Sequence, residues 1–136
     1  MADRKKALVV DDADENRKLI KSFLYFLGFD AETAVDGLSG KKALDTGHYD
    51  LLMSDIEMPN MNGFELLSWT RKNAKTAKLP IIMLSTLDSP EVIERCKRLG
   101  ATAYIVKPFT KEKMESALVA SGLTATGSSV GGPMRA

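Results

Sequence analysis

Five times along this chain a short β-rich run gives way to a stretch with helical periodicity, and this alternation constrains the fold more than any other feature. The strand candidates are Ala7–Val10, Ala31–Val35, Leu51–Ser54, Ile81–Leu84 and Tyr104–Val106. The first and fourth are almost wholly apolar, as strands covered on both faces are. The second, Ala31-Glu32-Thr33-Ala34-Val35, is polar enough for a sheet edge. The periodicity of Asp14–Leu27 places Leu19, Ile20, Phe23, Leu24 and Leu27 on one face, and Leu38–Asp45 and Phe64–Lys72 predict the second and third helices. A fourth opens at Ser89-Pro90, turns Val92, Ile93, Cys96 and Leu99 inward and closes at Gly100; a fifth follows Thr110 with Met114, Ala117 and Leu118. Gly28, Gly47 and Gly100 mark helix ends. Such βα alternation, without an internal sequence repeat, predicts a parallel sheet with helices on both faces.

Composition narrows the function. The 136 residues, 44% hydrophobic, suffice for one domain with its own core, so no disulfide or metal is needed for folding. A single cysteine, Cys96, and a single histidine, His48, exclude an internal disulfide and a zinc-finger ligand set. With 19 basic and 18 acidic side chains, the net charge of +1 gives no strong case for nucleic acid or an anionic membrane. No apolar run approaches the ~18 residues of a membrane span, and Met1-Ala2-Asp3-Arg4-Lys5-Lys6 is followed by no signal-peptide core. The expected compartment is the cytoplasm. From Ser121 to Gly132 the chain holds four of its ten glycines and no apolar period. The expectation is a domain over residues 1–120 and a flexible Gly/Ser-rich tail over 121–136.

Ligand sites in open α/β sheets lie beyond the carboxyl ends of the strands. Here those ends carry Asp11-Asp12 after the first strand, Asp55 after the third, Ser85-Thr86 after the fourth and Lys107-Pro108 after the fifth, with Asp36 at the margin after the edge strand. Three carboxylates against one ammonium invite a small, hard divalent cation; Mg²⁺ accepts one or two carboxylates, keeps waters and shares an oxygen with a phosphoryl group. A carboxylate can attack phosphorus to give an aspartyl phosphate, and Ser85 and Lys107 can hold phosphoryl oxygens. With no second nucleophile, the set suits accepting a phosphoryl group better than passing it on.

These residues carry a resemblance. With Met58-Pro59-Asn60-Met61-Asn62-Gly63 after Asp55, Leu79-Pro80 before the fourth strand, and Gly100-Ala101 ahead of Tyr104-Ile105-Val106-Lys107-Pro108-Phe109, the sequence resembles a receiver domain of the two-component response regulators, up to about Ala120. Within that family it is similar to single-domain, chemotaxis-regulator-like members. The resemblance implies a flavodoxin-like, doubly wound five-stranded parallel sheet of order 2-1-3-4-5 with five helices. It implies Asp55 as phosphoacceptor from a histidine kinase or phosphotransfer domain. Mg²⁺ would be held by Asp12 and Asp55 through carboxylates, by Glu57 through its backbone carbonyl and by Asp11 through water. Ser85 and Lys107 would contact the phosphoryl oxygens, Lys107-Pro108 would be a cis peptide placing the lysine, and Tyr104 would turn inward as Ser85 is drawn to the phosphate. The fourth helix, fifth strand and fifth helix would form the output surface.

Plainer roles compete. Asp11-Asp12 alone reads as a capping pair, Ser85 as a turn residue, and Tyr104 as a buried strand tyrosine. Cys96 reads as a core thiol, His48 as a solvated loop residue, and Arg71, Lys72, Lys75 and Lys78 as a solvated basic loop. Trp69 falls on the third helix, away from Asp55. Tyr25 and Phe26 exceed what the inward face of the first helix can bury, and the family's use of that helix predicts a contact with the phosphodonor. Thr86 stands where the family usually has a smaller residue, which predicts a narrower approach to the phosphoryl group. Glu57 and Leu87, each two residues past a key side chain, flank the route of an attacking water and are expected to set the phosphoryl lifetime.

The expected function is a phosphorylation-controlled switch, not an enzyme acting on other molecules. Its output is a motility or other target, or it serves as a phosphorelay intermediate or phosphate sink, or it is the receiver fragment of a longer protein; the missing output module favours a stand-alone chain. The reading from another class is a Mg²⁺-dependent aspartyl phosphatase, with Glu57 as its second acid, disfavoured by the absence of a cap domain.

Overall fold

The computed structural model describes residues 4–123; the stretch from Thr124 onward, most of the expected tail, lies outside the described residues. Strands and helices alternate as β1 (Lys5–Val10), α1 (Asp14–Phe26), β2 (Phe29–Ala34), α2 (Gly37–Thr46), β3 (Leu51–Asp55), α3 (Gly63–Lys72), β4 (Ile81–Ser85), α4 (Pro90–Leu99), β5 (Ala103–Val106) and α5 (Lys111–Ala120), with a 3₁₀ turn at Ala74–Thr76. The five strands form one parallel sheet in the expected order β2-β1-β3-β4-β5.

Local chemistry starts the helices. The side chains of Asp36, Ser89 and Thr110 accept from the backbone of Ser39, Val92 and Lys113 at the starts of α2, α4 and α5. Asn62 and Glu65 form a reciprocal capping box at α3. Each such cap is worth about 1 kcal/mol. Along the central strands, alternate side chains serve two cores. Ala7, Val9, Met53, Ile82 and Leu84 pack under α1 and α5 with Ile20, Leu24, Met114 and Leu118. Leu8, Val10, Leu52, Ile81 and Met83 pack under α2, α3 and α4 with Leu44, Leu66, Leu67 and Cys96.

Several expectations are corrected. Leu19 is 44% exposed and outside the core, because Ile20 and Leu24 with Leu27 complete the inward stripe of α1. On α4, Cys96 is buried and Val92 and Leu99 pack against the core, but Ile93 stays outside that cluster. The edge strand β2 starts two residues earlier than its composition indicates, since Phe29 pairs with Lys5 and is buried, and it ends before the exposed Val35. Arg71 is no part of a solvated loop. From the last turn of α3 it donates to the carbonyls of Gly100 at 2.9 Å and Leu79 at 2.6 Å, tying the α3–β4 and α4–β5 connections to the helix.

Candidate functional site

Sheet register builds the site. Val10 pairs with Ser54, Asp55 with Leu84 and Ser85 with Val106, so the residues at or just past these positions share one rim, where the chain order reverses between β1 and β3. There Asp11, Asp12 and Asp55 each bring a carboxylate oxygen within 4.8 Å of the others. Asp11 and Asp55 are buried and Asp12 is exposed. Lys107, beyond β5, puts Nζ 3.2 Å from Asp11 Oδ2 and 3.3 Å from Asp55 Oδ2. Its peptide bond to Pro108 is cis.

Electrostatics follow from that geometry. Burial pushes the Asp55 carboxyl above the usual range, Lys107 opposes the shift, and the Asp11 charge adds to it. Asp55 Oδ1 accepts from Ile56 N–H at 2.7 Å. Asp11 Oδ1 accepts from Ala13 N–H at 2.9 Å, leaving Oδ2 toward Lys107. The next turn is held in place by close approach: a Cβ on Gly63 would run into the Asp55 carbonyl, and Gly63 N–H closes the loop on the Ile56 carbonyl at 2.8 Å.

Ser85 is fully buried at the end of β4, its Oγ accepting from Leu87 N–H at 3.1 Å. Thr86 and Glu57 are exposed. Tyr104 is half-buried and donates its hydroxyl hydrogen to the Leu87 carbonyl at 2.7 Å, bridging β5 to the β4–α4 connection, and burial raises its pKa. Away from the rim, Tyr25 and Phe26 are 59% and 76% exposed on α1, and His48 is exposed. Cys96 has its thiol pushed up to about 11, chiefly by burial.

The structure adds two residues that sequence reasoning missed. Arg17 donates to the Asp11 carbonyl at 2.7 Å and to Asp14 at 3.1 Å, and Asn16 Nδ2 lies 3.4 Å from Asp11 Oδ1. Their positions in the first turn of α1, directly after Asp11-Asp12, were the available signal.

An all-oxygen, carboxylate-rich donor set suits a hard divalent cation such as Mg²⁺. Among the described residues, nothing donates a hydrogen bond to the Glu57 carbonyl, so that oxygen too is open to a ligand. Among the described residues, no helix is long and apolar enough to cross a membrane.

Comparison with known proteins agrees with this geometry. Residues 7–119 match the family model of the response regulator receiver domain. The chain is 36% identical to a probable chemotaxis protein CheY of Rhizobium etli over 121 residues, covering 88% of this chain and 94% of that protein. It is 36% identical to chemotaxis protein CheY-3 of Vibrio cholerae, covering 81% of this chain and 88% of the relative. The solved structure of the chemotaxis response regulator CheY4 of Vibrio cholerae superposes with a TM-score of 0.81 at 35% identity, covering 87% of this chain and 98% of that one.

Proposed function

The chain belongs to the response regulator receiver domain family of two-component signalling, and on that premise we propose that it is a switch set by phosphorylation of Asp55. The observation that carries this reading is the meeting of Asp11, Asp12 and Asp55, with Lys107 bonded to two of them, at the switch point of the sheet. An Oδ of Asp55 attacks the phosphorus of a phosphohistidine; the P–N bond breaks, its electron pair returns to the imidazole, and an acyl phosphate forms.

Asp12 and Asp55 would hold Mg²⁺ through carboxylates, Glu57 through its backbone carbonyl and Asp11 through a water. When bound, the ion neutralises charge on the phosphoryl oxygens. Lys107 moves its hydrogen bonds from Asp55 to a phosphoryl oxygen, and Ser85 donates to another. Drawing Ser85 toward that oxygen disturbs its bond from Leu87 N–H, and Tyr104, anchored on the Leu87 carbonyl, responds by turning inward. The face formed by α4, β5 and α5 changes with it and addresses a downstream target.

The receiver fold reaches just past the end of α5, where Leu123 packs into the core. The chain is no turnover enzyme on other substrates; it works in the cytoplasm with a histidine kinase or phosphotransfer domain, whose contact includes the exposed Tyr25 or Phe26. The chemotaxis relatives favour a motility target. Glu57 and Leu87 set the phosphoryl lifetime, and Thr86 narrows the approach.

Fluoroberyllate, a phosphoryl mimic, tests the switch by amide NMR in the presence of Mg²⁺. The reading expects shifts at Asp55, Ser85 and Lys107 that extend through α4, β5 and α5 and vanish in Asp55→Asn. Shifts confined to the strand ends would remove the output face, and none at all would remove the acceptor role.

A further inference from the structure

We propose that Asp36 and Asn60 form a clamp that positions the β3–α3 loop, and with it the Glu57 carbonyl, for divalent-cation binding; the inference rests on the phosphoacceptor reading above. Among the described residues, Asn60 is the only non-glycine with positive φ, at 69°. Asparagine tolerates that left-handed conformation better than most residues, yet such backbone persists only where the surroundings hold it.

The holding group is Asp36. Asn60 Nδ2 donates to Asp36 Oδ2 at 2.7 Å, while Asp36 Oδ1 accepts from both the N–H and the hydroxyl of Ser39 at 2.8 Å. One carboxylate thus caps α2 with one oxygen and fastens the loop with the other. The hydrogen bonds from Ser39 and Asn60 hold its pKa below the usual range, so it is ionised and the clamp is charge-assisted at neutral pH.

The two elements also touch through backbone. A Cβ on Gly37, the first residue of α2, would collide with the Met61 carbonyl. Helix α2 is a fixed reference, since Leu44 is buried and Gly40 sits against Val10 of β1. Asp11 N–H donates to the Ala34 carbonyl at 3.1 Å, so the acidic pair and Asp36 share one frame. A backbone carbonyl cannot be re-aimed by a rotamer change; only the loop conformation places it. Groups one shell out from a metal site act by such placement.

Isothermal titration of Mg²⁺ into the wild type, Asn60→Gly, Asp36→Ser and the double variant tests the clamp. Glycine keeps the positive φ and the net charge while removing the bond; serine still caps α2 but is too short to reach Asn60. The clamp predicts that Asn60→Gly weakens Mg²⁺ binding about five-fold in the wild type, the usual net worth of one hydrogen bond. In the Asp36→Ser background the same change has no further effect, which cancels the charge lost with Asp36. Equal Mg²⁺ affinity of Asn60→Gly and wild type, with or without a fall in urea stability, overturns the clamp, as does additivity of the two changes. A wild type whose Mg²⁺ binding survives Asp55→Asn undiminished overturns instead the reading on which the clamp rests.

Discussion

The ammonium of Lys107 stands 3.3 Å from Oδ2 of Asp55, so the proposed acceptor is paired with a cation before any phosphoryl group arrives. That single cation serves two buried carboxylates, since Asp11 Oδ2 lies 3.2 Å from it as well. The rim therefore carries uncompensated negative charge, held there by the rest of the fold. Sites that trade stability for chemistry have this character.

Asp55→Asn should stabilise the domain. The folded-state pKa of Asp55 is raised by burial above its ordinary 3.8. Between the unfolded and folded values the native state binds the extra proton, so stability contributed by this group falls as pH rises through that window. At neutral pH the ionised carboxylate is a cost, which the amide removes while its oxygen can still accept from Ile56 N–H. We expect Asn to add about 1 kcal/mol at pH 7, a rise in Tm of about 4 °C. The gain should shrink as pH is lowered through the folded pKa of Asp55. Urea or thermal unfolding across pH checks both; a variant less stable than wild type at pH 7 contradicts the charge argument.

Lys107→Ala should have the opposite effect. Removing this ammonium leaves the Asp11 and Asp55 carboxylates facing each other, and breaking a mostly buried pair on one side costs about 3–5 kcal/mol. A divalent cation binding only the folded state returns stability by mass action, so added MgCl₂ should raise the urea midpoint more in this variant than in wild type. Equal Mg²⁺ responses would separate the lysine from the metal site.

Arg71→Ala should destabilise without touching the rim. Its guanidinium serves the carbonyls of Leu79 and Gly100, and burial lowers its pKa. Leaving those acceptors unpaired costs about 2 kcal/mol. Urea denaturation reads the loss, and Mg²⁺ affinity measured by titration calorimetry should stay at the wild-type value.

Legibility divides along a physical line. Strand ends are readable because apolar runs stop at a polar residue, and parallel pairing then sets those residues side by side; Asp11, Asp12, Asp55, Ser85 and Lys107 are all legible in this way. The five helices are readable chiefly from their apolar period, and α4 also from its Ser89-Pro90 start. Contacts made across elements by long side chains are not. Arg71 lies among lysines in the sequence, and nothing local says that its stem crosses to Gly100. Asp36 looked marginal at a sheet edge, and its bond to Asn60 depends on a turn with positive φ that no pattern announces. Leu19 shows the other limit: a helix stripe read from hydrophobicity is wider than the face that two neighbouring strands cover.

Intact-mass spectrometry after incubation with a small acyl-phosphate donor tests the central claim most directly, on wild type and Asp55→Asn, with and without Mg²⁺. The account predicts one phosphoryl adduct on the wild type that requires Mg²⁺ and is absent from Asp55→Asn. An adduct that persists in Asp55→Asn, or a wild type that binds Mg²⁺ and stays unmodified, would contradict it.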